Sequence, residues 1–342
     1  MKKLKYKWDF YKKKIPLYWV IIIVLAVALP FNIYINHFNK PLALNIDTIE
    51  NCNLPYNIIR ENTKTLVKPL MLVETTTENE DYFPLKDKIN TYINEHKDNN
   101  ILRNASVYFR ILDVPDGWFV INNEEQYNYA SLMKVSFAIA MLREADKNPD
   151  ILNKTYYFAQ HGKNFKGEQK MLDHHLPPEK NYSYKELLKY ALAYSDNDAA
   201  MAVLDHINLN SLQKLLSDLH LPPCDLHQEY LGSVEGYSRF FRVLYNAGYL
   251  SPDMSEFALE LLSESDFYDG IVRNLDKTIK VPRKFGERGL DNNLELHEFG
   301  IVYYKNRPYL LGVMTKGRNY DELKKVIADI SSIVFEDMNK AI

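Results

Sequence analysis

The sequence predicts an α/β protein of the α+β kind, in which an antiparallel sheet is flanked by helices and an N-terminal helix crosses a membrane. Three observations lead to this prediction. An apolar run near the start is long enough to span a bilayer, strand-like runs occur towards both ends of the remaining chain, and amphipathic helical runs fill its middle. Of the 342 residues, 46% are hydrophobic and 13% aromatic, which is enough for a sizeable core.

Residues 1–14 form a basic tail with seven lysines and one aspartate. The tail precedes a predicted span, residues 15–35, which begins with the almost wholly apolar run IPLYWVIIIVLAVALPF. As a helix this span reaches about 25 to 30 Å, close to the thickness of a bilayer core. Lysines before an apolar span favour a cytoplasmic N-terminus. We therefore expect a single-pass cell-membrane protein whose folded domain lies outside the cytoplasm.

The same run is also compatible with a secretory signal peptide that is cut after Ala26-Val27-Ala28, an A-x-A-like site. The aromatic pair Tyr18-Trp19 near the inner interface, and Pro30 just past that site, favour an uncleaved anchor. Residues 36–83 are polar overall and predict an extracytoplasmic linker. Residues 84–342 then form the predicted folded domain.

The first part of this domain is predicted as a helix, two strands and a second helix. Pro84 to Asn99 has a helical pattern, and strands at Ala105–Ile111 and Trp118–Ile121 flank a Pro-Asp-Gly turn. Leu132 to Ala145 contains no Gly or Pro and predicts the second helix. Ser131 stands at its start, where serine is a favoured N-cap.

The second part is predicted as helices followed by strands and a final helix. Two helices meet at a short joint, a third follows, two strands come next, and a helix ends the chain. In order, these elements are Lys185–Tyr194, Asn197–Ile207, Ser233–Leu250, Gly300–Tyr304, Tyr309–Thr315 and Tyr320–Met338.

Three short strings carry the candidate chemistry. The first is Ser131-Leu132-Met133-Lys134, in which the lysine lies one helical turn beyond the serine, so that its amine can reach the hydroxyl. A serine hydroxyl becomes a good nucleophile when a base takes its proton, and a lysine can do this if burial or nearby cations lower its pKa. The alternative for this string alone is an N-cap serine with an exposed lysine.

The second and third strings add polar groups that a cleft would need. Ser195-Asp196-Asn197 falls at the joint between two helices, where Ser195 could relay a proton and Asn197 could contact a substrate amide. Local helix capping is the alternative for this string. Lys284-Phe285-Gly286 lies near a predicted strand edge, with a positive charge for a substrate carboxylate and a glycine that leaves room for the substrate backbone.

In this order the three strings resemble the S-x-x-K, S-D-N and K-T-G set of the class A β-lactamases and penicillin-binding proteins. The resemblance extends over roughly residues 85 to 342 and includes LLKYALAYSDNDAAMAVL at 187–204, SVEGYSRFFRVLYNAGYL at 233–250 and YLLGVMTKG at 309–317. It implies a β-lactamase-like fold. It also implies these roles: Ser131 nucleophile, Lys134 acylation base, Ser195 proton relay, Asn197 substrate-amide contact, Lys284 electrostatic anchor, and backbone N–H groups of Ser131 and Glu287 as oxyanion donors beside Gly286.

Two departures from the family pattern bear on activity. Phe285 stands where the family usually has Thr or Ser, so a hydroxyl that helps to hold a substrate carboxylate is missing. No E-x-x-L-N run, whose Glu activates the deacylating water in class A enzymes, occurs between Asn197 and Lys284. Glu235 suits the first turn of a helix, which leaves Glu229 either as a candidate deacylation residue or as a surface loop carboxylate. Acylation chemistry is complete, whereas deacylation chemistry is not.

The sequence therefore predicts a membrane-anchored extracytoplasmic serine hydrolase that forms an acyl-enzyme and hydrolyses β-lactam amide bonds. The alternatives are a D-Ala-D-Ala peptidase acting on peptidoglycan peptides and a non-catalytic penicillin-binding or wall-binding sensor. The expected partners are a β-lactam or a peptidoglycan peptide, and the membrane through the N-terminal helix.

Other classes of ligand are not expected. The tail carries a net charge of +6 in a chain of net charge −3, so the rest carries −9 and gives no reason to expect nucleic acid. The nine histidines show no H-x-x-x-H pair beside an acid, so no metal is predicted. The many aromatic residues fit the core and the strands, so no organic cofactor is predicted either. Cys52 and Cys224 could form an exterior disulfide.

Overall fold

The computed structural model describes residues 56–63, 66–161, 171, 174–290 and 293–340. Residues from Pro55 onwards form one compact unit. The predicted basic tail, the predicted span and the first part of the predicted linker lie outside the described residues. In the part of the chain that is described, no helix is long and apolar enough to cross a membrane.

Eleven strands and eight α-helices are described. The strands are β1 Tyr56–Arg60, β2 Leu70–Thr75, β3 Leu102–Ile111, β4 Trp118–Ile121, β5 Tyr127–Asn128, β6 Thr155–Phe158, β7 Lys180–Ser183, β8 Leu231–Gly232, β9 Arg283–Leu290, β10 Asn293–Val302 and β11 Tyr309–Gly317. The helices are α1 Phe83–Asp98, α2 Met133–Ala145, α3 Tyr184–Ala193, α4 Asn197–His206, α5 Leu209–Asp218, α6 Val234–Tyr245, α7 Pro252–Ser263 and α8 Tyr320–Lys340. Short 3₁₀ turns span Glu80–Tyr82, Ala130–Leu132 and Pro149–Asn153.

A five-stranded antiparallel sheet in the order β4-β3-β11-β10-β9 is the centre of the fold. Its side chains alternate between two hydrophobic clusters, since Val107 and Phe109 on β3 join one cluster and Tyr108 between them joins the other. Helices α1 and α8 cover the first face, and the larger group of helices α2 to α7 covers the second. Because both faces are covered, the central strands are buried along most of their length.

The helices on the larger side are positioned by polar caps. Ser183 and Glu186 form a capping box at α3, Asp196 caps α4 and Ser233 caps α6. The sequence prediction that Ser131 caps α2 was wrong. Ser131 lies inside the preceding 3₁₀ turn, and α2 begins at Met133 without a side-chain cap, so the Ser131 hydroxyl is not used to satisfy its own helix.

Part of the segment predicted as a linker belongs to the folded unit, so that prediction was wrong for residues 56–63 and 66–83. Strands β1 and β2 form an antiparallel hairpin, and Ile59, Met71 and Leu72 on it are fully buried. Glu74 on β2 is also buried and accepts hydrogen bonds from Arg239 at 3.0 and 3.1 Å and from Arg242 at 2.9 Å, both on α6. Glu74, one of the polar residues of this stretch, thus forms ion pairs with a helix that is distant in the sequence.

Replacement of Glu74 by glutamine is expected to lower the free energy of unfolding by about 3 kcal/mol at about pH 7, because it leaves the buried Arg242 and the partly buried Arg239 without their counter-charge. Burial raises the pKa of Glu74, but Arg239 and Arg242 outweigh it and hold the pKa below its usual value. The stabilisation is therefore present above the ordinary carboxyl pKa and is lost as the pH falls through the lowered one. Urea denaturation at about pH 7 and about pH 3 measures this loss.

The matched control is Asp337→Asn, which removes an exposed pair with Lys88 (3.3 Å) and is expected to change the free energy of unfolding by less than about 1 kcal/mol. If the free energy of unfolding differs between the parent and the Glu74 variant by the same amount at both pH values, the ion-pair interpretation is contradicted.

Candidate active site

Lys134 is the residue at which the first two sequence strings meet. It lies in the first turn of α2 and is 4% exposed. Its Nζ donates hydrogen bonds to Asn197 Oδ1 at 2.7 Å, to Ser195 Oγ at 3.2 Å and to the Ser195 carbonyl oxygen. The structure thus brings together the lysine, the serine and the asparagine that the sequence singled out, although more than sixty residues separate the two strings.

The turn that carries Ser131 is fixed by its neighbours. Ala130 has a φ of 47°, in the left-handed region that is uncommon for a residue with a Cβ, and its N–H donates to Asn128 Oδ1 at 2.8 Å. On the other side, the Tyr237 hydroxyl donates to the Leu132 carbonyl at 2.9 Å. A backbone strain of about 1 kcal/mol at Ala130 is held in place by these bonds, so the half-buried Ser131 is presented in one conformation, one turn before Lys134.

The three residues of the second string make different contacts at the joint between α3 and α4. Asp196 is fully buried, and its carboxylate accepts hydrogen bonds from Ala199 N at 2.7 Å and from Leu176 N at 3.1 Å. Ser195 has a φ of 55°, a second strained position beside the lysine. The capping alternative that we considered for this string therefore applies to Asp196, and this capping sets the direction in which Ser195 and Asn197 face Lys134.

The third string lies on β9, at one edge of the central sheet and against the 3₁₀ turn Ala130–Leu132, which we call the nucleophile turn because it carries Ser131, the predicted nucleophile. A Cβ at Gly286 would lie 2.9 Å from Leu132 Cγ and 3.0 Å from the Tyr129 carbonyl oxygen. The glycine thus makes room for the nucleophile turn, which corrects the expectation that it makes room for substrate. Glu287 is the next residue along this strand, and its carboxylate accepts a hydrogen bond from Met171 N at 3.2 Å. Its backbone N–H remains the predicted second oxyanion donor.

Lys284, the first residue of the third string, is buried on β9. It is 1% exposed, its Nζ donates to the Phe285 carbonyl at 3.0 Å, and the amine lies 4.5 Å from the centre of the Phe285 ring. Burial, and next the charge of Lys134, lower the pKa of Lys284 well below the usual lysine value. The influence of Lys134 shows that the two amines are close enough to interact.

Phe285 stands where the family pattern has a hydroxyl residue, and its side chain packs well at this position. Its ring is buried and stacks on Phe267 with a centroid distance of 4.5 Å and an interplanar angle of 21°, within the cluster on the α1 and α8 face of the sheet. The aromatic side chain at this position therefore stabilises the sheet and contributes no hydrogen-bond donor for a substrate carboxylate.

The charge state of Lys284 gives an expected pH dependence. Only the ammonium form can attract a substrate carboxylate, and its lowered pKa means that this charge is lost at a lower pH than in an ordinary lysine. We expect the concentration of a penicillin needed for half-maximal acylation rate to rise with increasing pH, and to begin to rise below the ordinary lysine pKa of about 10.4. The methyl ester of the same penicillin, which lacks the carboxylate, is the control and should show no such rise. An equal rise for the ester would contradict the anchoring role.

Glu229 lies in the loop between α5 and α6. Its side chain is 54% exposed and forms an ion pair with Arg288 on β9. This placement corresponds to the surface-carboxylate alternative. Strand β8, which follows it, pairs with β5 immediately before the nucleophile turn, so the loop is attached close to the cleft.

A buried polar cluster lies beneath the nucleophile turn. The sequence alone left His297 either as a packing residue or as a substrate contact near the strand edge, and it did not indicate the partners that the structure shows. Glu295 accepts a hydrogen bond from Asn128 N at 2.9 Å, and His297 Nε2 lies 3.1 Å from the Asn128 carbonyl oxygen. Because His297 Nδ1 accepts a hydrogen bond from Thr315 N at 3.2 Å, Nε2 carries the proton that is donated to Asn128. Polar residues at alternate positions of an otherwise buried strand were the signal that could have revealed this cluster.

Ligand groups of other kinds are sparse in the described part of the chain. There, no group of three or more His, Cys, Asp or Glu is placed to hold a metal ion. Cys224 is a free thiol whose pKa is raised by burial, and Cys52 lies outside the described residues.

Comparison with known proteins places this geometry in context. A family model described as the beta-lactamase enzyme family matches residues 84–338. Similar solved structures include the TLA-3 extended-spectrum beta-lactamase, with 17% identity and a TM-score of 0.64 over 75% of this chain and 98% of that one. A class A beta-lactamase from Bacteroides cellulosilyticus gives 18% and 0.63 over 75% and 99%, and PBP-A gives 17% and 0.62 over 75% and 96%. No sequence among the curated proteins matches the chain.

These structural similarities establish the fold. The predicted β-lactamase-like antiparallel sheet with flanking helices is confirmed. The N-terminal transmembrane helix that was predicted with it lies outside the described residues.

Proposed function

The chain belongs to the beta-lactamase enzyme family and is a serine hydrolase acting on amide bonds, and we propose that Ser131 forms an acyl-enzyme with β-lactams that water then hydrolyses. One observation carries this proposal. The buried Lys134 amine, one turn after Ser131, contacts both Ser195 and Asn197. A nucleophile, a base, a proton relay and an amide-binding group are then available in one place.

The chemical steps follow from these contacts. The Ser131 hydroxyl adds to the lactam carbonyl and its proton passes to the Lys134 amine. The oxyanion that forms is stabilised by the backbone N–H groups of Ser131 and Glu287. The carbon–nitrogen bond then breaks, and Ser195, in contact with Lys134 at 3.2 Å, passes a proton to the leaving nitrogen. Asn197 holds the amide beside the reacting carbonyl.

Release of the acyl group is the step with the weakest support from the residues. The loop between α5 and α6 carries two acids, Asp225 and Glu229, both of which are exposed. Glu229 is also paired with Arg288, so neither acid has the buried environment that suits a general base. We expect acylation to be faster than deacylation. PBP-A, one of the similar structures, has been solved in a variant form as an acyl-enzyme complex with penicillin G.

The lack of a suitable base for deacylation favours a second candidate function, a D-Ala-D-Ala peptidase acting on peptidoglycan peptides. A peptidase of this kind needs the same acylation groups, and a long-lived penicillin adduct is compatible with turnover of its own substrate.

The proposed location is the outer side of the cell membrane, because the apolar run at residues 15–35 follows a lysine-rich tail. Protease treatment of intact cells, which should remove the folded domain and leave the tail protected, tests this location.

The test of function is incubation of the protein with benzylpenicillin, followed over time by intact-mass spectrometry and by product analysis. Formation of an adduct on Ser131, followed by several equivalents of hydrolysed penicillin, supports β-lactam hydrolysis. A persistent adduct together with cleavage of a D-Ala-D-Ala peptide supports the second candidate. Absence of any adduct overturns both, and binding to peptidoglycan without an adduct would indicate a non-catalytic sensor.

A further inference from the structure

The hairpin formed by β1 and β2 carries an exposed apolar surface that the acylation steps do not use. Six of the fourteen large apolar side chains that are exposed in the described part of the chain lie within residues 56–73. They are Tyr56, Ile58, Leu66, Val67, Leu70 and Val73, and we call these six residues the hairpin patch. Single exposed apolar residues are ordinary on a protein surface, whereas a concentration of them marks an interaction site.

Strand pairing places part of the hairpin patch on one side of the hairpin. Ile58 and Val73 are direct cross-strand partners, so their side chains lie next to each other on the same face. Ile59 and Leu72 are also partners, but their side chains are fully buried in the core. Leu66 lies in the connection between the two strands and is fully exposed. The hairpin thus packs on the domain with one side and presents apolar side chains on the other.

Ion pairs hold the buried side of the hairpin to the domain. Glu61, directly after β1, pairs with Arg143 at 2.7 Å and with Lys214 at 3.2 Å. Glu74 on β2 pairs with the arginines of α6. Arg143 lies in the last turn of α2. These contacts fix the orientation of the hairpin patch relative to α2.

The exposed charges of the hairpin are positive. Among its described residues Arg60 and Lys68 are exposed, whereas the acids Glu61 and Glu74 are buried. Arg60 Nη1 donates a hydrogen bond to the Lys68 carbonyl at 2.9 Å, which places this cation beside the connection that carries Leu66. Apolar side chains next to cations are typical of a surface that rests on anionic lipid.

A recess of about 320 Å³ adjoins the hairpin patch and carries the same sign of charge. It is lined by residues 70–73 of β2, and the charged residues in its lining are Arg110, Arg242 and Asp113. Two cations against one acid leave positive charge next to the patch, which favours an anionic headgroup over an acidic repellent surface being formed there.

The place of the hairpin in the chain indicates what covers the patch. The proposed membrane span is the apolar run at residues 15–35, and only twenty residues, 36–55, separate it from Tyr56. Twenty residues reach at most about 70 Å when fully extended. A surface tethered at so short a distance meets the bilayer at a high effective concentration. The occupant that the tether and the charge both favour is therefore the membrane itself.

We propose that the hairpin patch docks on the outer surface of the membrane that holds the span. Leu66 and Val67 enter the headgroup region, and Arg60 and Lys68 lie against anionic lipid. This proposal rests on the proposed location, because the tether brings the hairpin to the bilayer only if the span is retained in the membrane.

Docking in this way leaves the catalytic residues accessible. Ser131 lies just before α2 and Arg143 lies in its last turn, near the hairpin. At about 1.5 Å per residue the two are about 18 Å apart along the helix axis. The proposed nucleophile is therefore at the end of α2 that is remote from the hairpin, and docking should not change acylation by a soluble penicillin.

Hydrogen exchange of the full chain in lipid nanodiscs tests the docking. One set of discs contains phosphatidylcholine alone, and the other about two parts phosphatidylcholine to one part phosphatidylglycerol, which is anionic. We expect the backbone amides of Leu66, Val67 and Lys68 to exchange roughly 5-fold more slowly in the anionic discs than in the phosphatidylcholine discs. This exchange ratio should fall as the salt concentration rises.

Variants test whether the hairpin patch is the cause. The double variant Leu66→Asp, Val67→Asp should have an exchange ratio near 1, and intrinsic exchange rates cancel because each ratio is taken within one variant. Tyr157→Asp, at an exposed apolar position on β6, is the matched control and should keep the parent ratio. A ratio near 1 in the parent chain, or an equal fall in the Tyr157 variant, overturns the docking.

Two further outcomes separate the docking from the proposals beneath it. A chain that does not stay in the disc overturns the proposed location and the docking with it. Slow exchange that appears only when a disc holds two chains assigns the patch to a second copy and overturns the lipid proposal. Acylation by benzylpenicillin, measured on the same samples, should be equal in the parent and in both variants, and loss of acylation in one hairpin variant alone would contradict a docking surface remote from Ser131.

Discussion

Replacement of Ser131 by alanine is expected to abolish the penicillin adduct and to reduce amide or lactam hydrolysis by at least about 1,000-fold. The structure supports this magnitude because Ser131 stands in a fixed turn one helical turn from the buried Lys134 amine, and the alanine variant offers no oxygen to attack the carbonyl. The measurement is intact-mass spectrometry after incubation with benzylpenicillin, together with the rate of substrate loss.

A suitable control for this variant lies in the same helix. Ser136 is fully buried, and its hydroxyl donates to the Met133 carbonyl at 2.7 Å, within the helix itself. Ser136→Ala should keep the adduct and lose at most about 1 kcal/mol of stability, because one intrahelical hydrogen bond is removed. An adduct that persists in the Ser131 variant would move the nucleophile to another residue and would contradict the assignment of all three strings.

The strings that the sequence singled out converge in the structure because each is short and sits on an element whose pattern is strong. Lys134 follows Ser131 by three residues in a helical run, so the relation of the two is set by helix geometry and not by distant packing. Asn197 begins α4 directly after its cap, which fixes its direction in the same way. Local geometry of this kind is visible in a sequence.

Features that depend on distant partners were not predictable in this way. Glu74 stands in a polar stretch that indicated a linker, and its two arginines lie about 165 residues further along the chain. Ser131 lies in a 3₁₀ turn and does not cap a helix. The conformation of this turn depends on the left-handed backbone of Ala130 and on the hydrogen bond that the Tyr237 hydroxyl donates to the Leu132 carbonyl. Phe285 similarly departs from the family pattern because its ring packs on Phe267, in the cluster on the α1 and α8 face of the sheet. In each case the deciding contact is long-range and has no signal in the neighbouring residues.

The groups around Lys134 satisfy its amine in both charge states. The Ser195 carbonyl and Asn197 Oδ1 can only accept hydrogen bonds, whereas the Ser195 hydroxyl can either accept or donate. An ammonium can donate to all three. A neutral amine can donate to the two carbonyl oxygens and receive a hydrogen bond from the hydroxyl. A base that takes a proton from Ser131 and passes it to Ser195 needs an environment of this kind.

Replacement of Lys134 by methionine, which keeps much of the length and loses the amine, is therefore expected to slow acylation by about 100- to 10,000-fold. It also removes the hydrogen bonds that the amine donates to the Ser195 carbonyl and to Asn197 Oδ1, which should cost about 1 to 3 kcal/mol of stability. Stopped-flow or mass-spectrometric acylation rates and a thermal melt measure the two effects separately. Lys189→Met, at an exposed position on α3, is the matched control and should acylate at the parent rate. A folded Lys134 variant that acylates at the parent rate would remove Lys134 as the base and leave it as a structural contact of the joint.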